Sequence, residues 1–249
     1  MIQTALATTP TAVRRPAEDP PSSRLGRSRM RQSRIIGVLF LAGFLLYGSG
    51  SSLVTALVGG PGFLTRIASV GSLLALGAFL MLLNTAVDLT KAVLFFPILE
   101  RHSKPTALTY FATLIVQVVF MTLGALAILL LVPLAQHAGD PGARTVGMTL
   151  VQLNLMAYQI GQMTLGVGAT FLCVVLFRAG LVPRWIALSG LIGYPFHVLG
   201  TVAEVFGVHI GLYLTMPGFF FELALPVWLL IRGFRREAYE GRTIALPAA

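Results

Sequence analysis

Long apolar runs alternate with short polar breaks along the chain. Six runs meet the roughly 20 residues that an α-helix needs to cross a hydrocarbon core: 35–58, 67–97, 107–134, 147–177, 185–206 and 211–231. The second and fourth exceed that requirement, so they predict helices that tilt or extend beyond the bilayer. The breaks read as turns. "HAGDPGARTVG", His137 to Gly147, is rich in glycine, proline and aspartate. The link from Gly207 to Gly211 is tight enough to make the last two helices antiparallel neighbours. The pattern predicts an all-α integral membrane bundle of six transmembrane helices over residues 35–232.

Composition agrees. Only 11% of the 249 residues are charged and 56% are hydrophobic, against about 25% charged in a soluble domain. So little charge cannot cover a globule, and the lipid bilayer must be the main partner of this surface. A net charge of +9 would point to nucleic acid if the bases formed one patch. They cluster outside the apolar runs instead, which argues against nucleic acid.

Residues 1–34 hold Arg14, Arg15, Arg24, Arg27, Arg29, Arg31 and Arg34 among prolines and serines. That composition reads as a basic, disordered N-terminal tail. A secretory signal peptide is the competing reading. The apolar run that follows is longer than an h-region of about 7–15 residues, which favours an uncleaved anchor. Met30 is an alternative start. Residues 233–249 read as a C-terminal tail.

The basic residues also predict orientation. With the N-terminus in the cytosol, the arginines of the first tail fall on the cytosolic side, with Arg101, Lys104, Arg178, Arg184, Arg232, Arg235, Arg236 and Arg242. Only Arg66 and Arg144 fall outside, and Lys91 lies within a span. This bias places both termini in the cytosol. Tyr110, Trp185 and Trp228 sit near the same helix ends, as interfacial anchors would.

Ionisable groups at bilayer depth are costly and raise a functional hypothesis. In the second span Asn84, Asp88 and Lys91 share one helix face. An internal ion pair with Lys91 snorkelling to the headgroups is the structural alternative. In the fifth span Tyr194, His197, Thr201 and Glu204 form a second stripe. Glu222 lies near the middle of the last span, flanked by Pro217 and Pro226, so it must face the protein interior or a wet cavity, or be protonated. The fourth span adds Gln152, Asn154, Tyr158, Gln159 and Gln162, amides of the kind that join helices.

Asp88, Lys91, His197, Glu204, Glu222, Asn84, Gln159, Gln162 and Tyr158 are therefore the candidate intramembrane polar site. Asp88, Glu204 and Glu222 against Lys91 leave uncompensated negative charge. Protons, a charged His197, a bound cation, or an exit of Glu204 to the headgroups would resolve it.

Catalytic signatures are missing. No H-E-x-x-H, G-x-S-x-G, phosphate loop or dinucleotide fingerprint occurs in a proper context. Of four histidines only His197 is deep, so neither a polyhistidine metal site nor a bis-histidine haem can be assembled in the membrane. Lone Cys173 can form neither an internal disulfide nor a cysteine-based metal cage, and reads as core. The sequence calls for no cofactor. Ser189 and Thr201 are the nucleophile candidates beside His197.

The stretches "RIIGVLFLAGFLLYG", "AVDLTKAVLFFPILERHSK", "LFRAGLVPRWIALSGLIGY" and "FFFELALPVWLLIRG" resemble the bacterial multi-pass membrane proteins grouped as domain of unknown function family 4386. The resemblance covers roughly Arg34 to Phe234. It implies a helical integral membrane fold in the bacterial cytoplasmic (inner) membrane, and no activity. It also implies a carboxylate in the second span, matched by Asp88, and a Gly-Glu pair in the last. Here Glu222 follows Phe221 in place of that glycine.

Three functions follow as expectations. The leading one is proton- or cation-linked transport of a small molecule, with Asp88, His197, Glu204 and Glu222 along the path. No inverted repeat between the two halves supports it. The second is a non-catalytic membrane sensor or partner subunit. The weakest is an intramembrane enzyme acting on lipid.

Overall fold

The computed structural model describes the backbone of residues 21–241 and the side chains from Gly26 onward. Seven helices follow one another: α1 (Pro21–Val58), α2 (Phe63–Glu100), α3 (Lys104–Ala135), α4 (Ala143–Arg178), α5 (Arg184–Val205), α6 (Gly211–Ile231) and a short α7 (Arg236–Tyr239). The first six are long and apolar enough to cross a membrane. They carry all six apolar runs of the sequence. Their boundaries have local causes. Ser103 caps α3, accepting a hydrogen bond from the Thr106 amide at 3.4 Å, and Pro105 sits in the first turn, where its missing N–H costs nothing. Between α1 and α2 the chain reverses through Gly60 and Gly62, at φ 81° and 72°, where a side chain would be strained. Val70, at φ −131° and ψ 31°, kinks α2 near its start.

The six long helices form a closed ring in chain order. Each packs on the next, and α6 returns to α1. The α1–α6 seam is the sparsest of the six contacts between ring neighbours. Two apolar clusters fill opposite ends of the ring. One gathers Phe95, Ile98, Leu99, Leu176 and Phe234 at the end that holds the first and last residues described. The other gathers Leu57, Phe63, Ile67, Ile128 and Leu131 at the far end. Outward-facing side chains such as Leu45, Val119 and Leu199 are exposed and apolar, as a lipid-facing surface must be.

Two sequence expectations for the tails change. Residues 21–34 are helical rather than a disordered tail, because α1 continues back to Pro21. Residues 1–20 lie outside the described part. The segment after α6 is not free either. Phe234 is fully buried and Tyr239 nearly so, and Gln32 accepts a 2.6 Å hydrogen bond from the Tyr239 hydroxyl. Arg29 donates to the Phe234 carbonyl, and Arg101 donates to the Tyr239 carbonyl at 3.0 Å. Arg29 from the start of α1 and Arg101 from the α2–α3 connection thus tie the segment after α6 to the bundle.

Ser33 is the pivot of that closure. Its buried hydroxyl donates to Arg29 O at 2.8 Å and accepts from the Phe234 amide at 3.1 Å. Ser33→Ala leaves that amide without a partner and is expected to cost about 1–2 kcal/mol. The measurement is the thermal midpoint of the detergent-solubilised protein, and an unchanged midpoint would remove Ser33 from this role.

Tyr110 is a further correction. Sequence placed it as an interfacial anchor, yet it is 3% exposed and meets Phe95 edge-on with centroids 5.8 Å apart. Its position in α3 turns the ring inward. Trp185, 54% exposed, stays on the outer surface as expected of an anchor.

Candidate functional site

Between the two apolar clusters lies a cavity of about 250 Å³, and all six long helices contribute to its wall. Of the nine candidate residues, the structure brings together seven: Asn84, Asp88, Lys91, Tyr158, Gln162, His197 and Glu222. The α2 group follows from helical periodicity. Spacings of four and three residues set Asn84, Asp88 and Lys91 on one face, and the ring turns that face inward.

Asp88 is saturated with donors. Oδ1 is 2.7 Å from Lys91 Nζ. Oδ2 accepts from Asn84 Nδ2 at 3.0 Å and from Gln117 Nε2 at 3.3 Å. Such a set gives partners to both carboxylate oxygens. Lys91 does not snorkel to the headgroups. Its ammonium lies 4.5 Å from the centroid of the Phe40 ring, so Asp88 and an aromatic face share it. The pair is internally neutral, and its double replacement tests whether it is structural. Asp88→Ala alone strands Lys91 and is expected to cost about 3–5 kcal/mol, whereas Asp88→Asn with Lys91→Met is expected to cost under about 1 kcal/mol. Thermal midpoints of the variants read this directly, and equal losses would contradict it.

Glu222 is placed differently. It accepts one hydrogen bond, from the Tyr194 hydroxyl at 3.0 Å, and makes no ion pair among the described residues. It is half-buried and lines the cavity. Phe221, which stands where the resembling family has glycine, is fully buried and packs against Tyr194 with centroids 5.5 Å apart. The close approach is kept by a glycine on the other helix. A Cβ on Gly190 would stand 2.6 Å from the Phe221 ring.

His197 bridges α6 and α4. Its Nδ1 lies 3.1 Å from Thr215 Oγ1, and its Nε2 lies 3.2 Å from Gln162 Oε1. Thr215 spends its own proton on the Gly211 carbonyl, 2.8 Å away. Its oxygen must therefore accept from Nδ1–H. The Gln162 amide can present oxygen to a protonated Nε2 or, turned over, its NH₂ to a bare one. The site thus accommodates either charge state of the ring without moving the backbone.

Glu204 and Gln159 fall elsewhere. Glu204 accepts from the Gly211 amide at 2.9 Å and meets His209 Nδ1 at 2.9 Å. It satisfies a free N–H at the start of α6, in an exposed turn away from the cavity. That removes one of the two uncompensated charges counted from sequence, and Glu222 is the one left. Gln159 is half-buried on α4 and is not part of the wall. The nucleophile candidates also recede. Ser189 and Thr201 donate to carbonyls of their own helix, at 2.8 Å and 2.9 Å, and His197 engages neither.

Sequence reasoning missed Gln117, which is 2% exposed. Asp88 orients its amide, which leaves Oε1 buried without a donor. The available signal was that Gln117 is the lone amide in α3. It also missed the aromatic wall of α1. Tyr47 stacks on Tyr158 across the ring at 5.5 Å and 12°, and Phe44 meets Phe219 edge-on at 5.7 Å across the α1–α6 seam.

Residues 35–233 match the family model described as Domain of unknown function (DUF4386). No curated protein and no solved structure matches the chain.

Proposed function

Since the chain belongs to the DUF4386 family, which brings a membrane fold without an activity, we propose from the site itself that the protein binds a small molecule in its central cavity and couples that binding to a proton. Proton- or cation-linked transport is the process this serves. In this reading the protein lies in the bacterial cytoplasmic membrane. The arginine-rich end, where α1 begins and α6 finishes, faces the cytosol, as the distribution of basic residues argues.

One observation carries the proposal. Polar or ionisable side chains from all six membrane-spanning helices line one cavity, and one carboxylate there, Glu222, makes no ion pair among the described residues. A carboxylate at bilayer depth that makes no ion pair is stable only with a proton or a cation. Either occupant can be exchanged for the other, and that exchange is the elementary step of coupling. His197, with its two-way Gln162 partner, offers a second proton-holding position on the same wall.

The test is reconstitution into liposomes with an internal pH dye. Protein-dependent proton movement on addition of a small-molecule set supports the proposal, and its absence across the set would end it. A second reading, a sensor or partner subunit held by polar contacts, draws on the saturation of Asp88. It predicts a protein that co-purifies with one stoichiometric partner and moves no protons.

A further inference from the structure

The cavity wall has a marked chemical bias. Asp88 and Lys91 cancel, and Glu222 remains as an acceptor with one donor, Tyr194. Gln117 Oε1 is a buried acceptor with none. Around these the wall is aromatic: Phe40, Phe44, Tyr47, Tyr110, Tyr158 and Phe219 all line it. One cation, Lys91, already sits over one of these rings. Unfilled acceptors, one uncompensated negative charge and aromatic faces together fit an organic cation.

The geometry also gives a route. Of all the residues lining the cavity, only Gly48 on α1 and Phe219 on α6 are exposed. They stand on the two sides of the α1–α6 seam, the sparsest contact between neighbouring helices of the ring. That seam faces lipid. At about 250 Å³ the cavity is smaller than sites of about 300–1,000 Å³ that enclose a drug-sized ligand. It has room for a compact head and leaves any tail in the seam.

We propose that the cavity binds the ammonium head of a lipophilic amine, which reaches it from the bilayer between α1 and α6 and pairs with Glu222. This rests on the cavity being a ligand site and adds the ligand class and the path. Where the empty carboxyl is held neutral by a proton, arrival of the cation releases that proton. The carboxyl O–H bond breaks with its electron pair left on the carboxylate, the proton passes to the aqueous buffer, and the bonds of the ligand are unchanged. The ionisable groups that line the cavity with Glu222 or act on it are Tyr47 on α1, Lys91 and Asp88 on α2, Tyr110 on α3, Tyr158 and Cys173 on α4, and Tyr194 and His197 on α5. Among these the Lys91 ammonium repels the ligand, and its pairing with Asp88 limits that repulsion.

Calorimetry on the full chain in zwitterionic nanodiscs, with empty nanodiscs subtracted, tests this. The probes are octyltrimethylammonium, its uncharged carbon isostere 2,2-dimethyldecane, and octyl sulfate. The cation is expected to bind at least tenfold more tightly than either other probe and to release a proton, read from the dependence of heat on buffer ionisation. Glu222→Gln should weaken it at least tenfold, while Glu222→Asp restores most of the affinity. Gly48→Phe should slow association about tenfold. Open space around the Gly48 position means that this variant can fold. Equal binding of cation and isostere, or indifference to Glu222→Gln, would overturn the proposal. If the sulfate or the isostere binds best and Gly48→Phe hinders it, the ligand class falls and the cavity reading stands. If no probe binds, both fall.

Discussion

Glu222→Gln is expected to abolish proton-linked movement through the reconstituted protein while leaving its fold intact. Glutamine has the same shape and can keep the Tyr194 hydroxyl as a partner. What it loses is the ability to ionise. A charge-assisted interaction at such a position is worth about 1.5–3 kcal/mol, or roughly 10- to 150-fold in affinity, and a group that cannot ionise cannot alternate between proton and cation at all. The stability prediction runs the other way from Asp88→Ala. Removing a carboxylate that has no counter-charge strands nothing, so the thermal midpoint should hold or rise slightly. The paired measurement is therefore flux from a pH-dye assay beside a melting curve. Wild-type flux in a folded Glu222→Gln protein would take Glu222 out of the mechanism.

Gly193→Val is expected to force α5 and α6 apart. Gly193 on α5 faces Gly218 on α6, where the two backbones touch. A Cβ at position 193 would stand 2.5 Å from Gly218 Cα and 2.6 Å from the Pro217 carbonyl carbon. Backbone cannot step aside as a flexible side chain can, so the helices must separate. Overpacking typically costs about 1–3 kcal/mol, occasionally more, and a clash on main chain belongs at the upper end. The consequence reaches the site. His197 and Tyr194 on α5 hold Thr215 and Glu222 on α6, and separation breaks both contacts. A lowered midpoint together with lost ligand binding is the expected result, and a stable, fully active Gly193→Val protein would contradict the packing described.

The membrane fold was legible because hydrocarbon imposes a simple rule. A run such as 211–231 has no soluble alternative, and it coincides with α6. The candidate site was legible in part, for a related reason. A charge inside such a run must turn inward, so Asp88 and Glu222 could be assigned to an interior before their partners were known. Periodicity within one helix also placed Asn84 with Lys91. What it could not supply was which helices face each other. Glu204 shares a stripe with His197 along α5, yet the tight turn to α6 captures it at the Gly211 amide. Gln117 was overlooked because a single amide carries no pattern. Its importance comes from standing opposite Asp88, on a different helix. The tails misled for another reason: arginine and serine read as solvated until Phe234 and Tyr239 supply a surface for them.

Ring closure in chain order has a consequence for how the protein is made. Each helix arriving in the bilayer finds its neighbour already inserted, with one exception. α1 must wait for the last span before its second flank is covered. Throughout synthesis the inward polar groups of α2 and α4 face an incomplete wall, and the final span, carrying Glu222, both finishes the enclosure and delivers its unmatched acid. The gap closed last during biogenesis is thus the same gap through which a guest from the lipid would pass in the mature molecule.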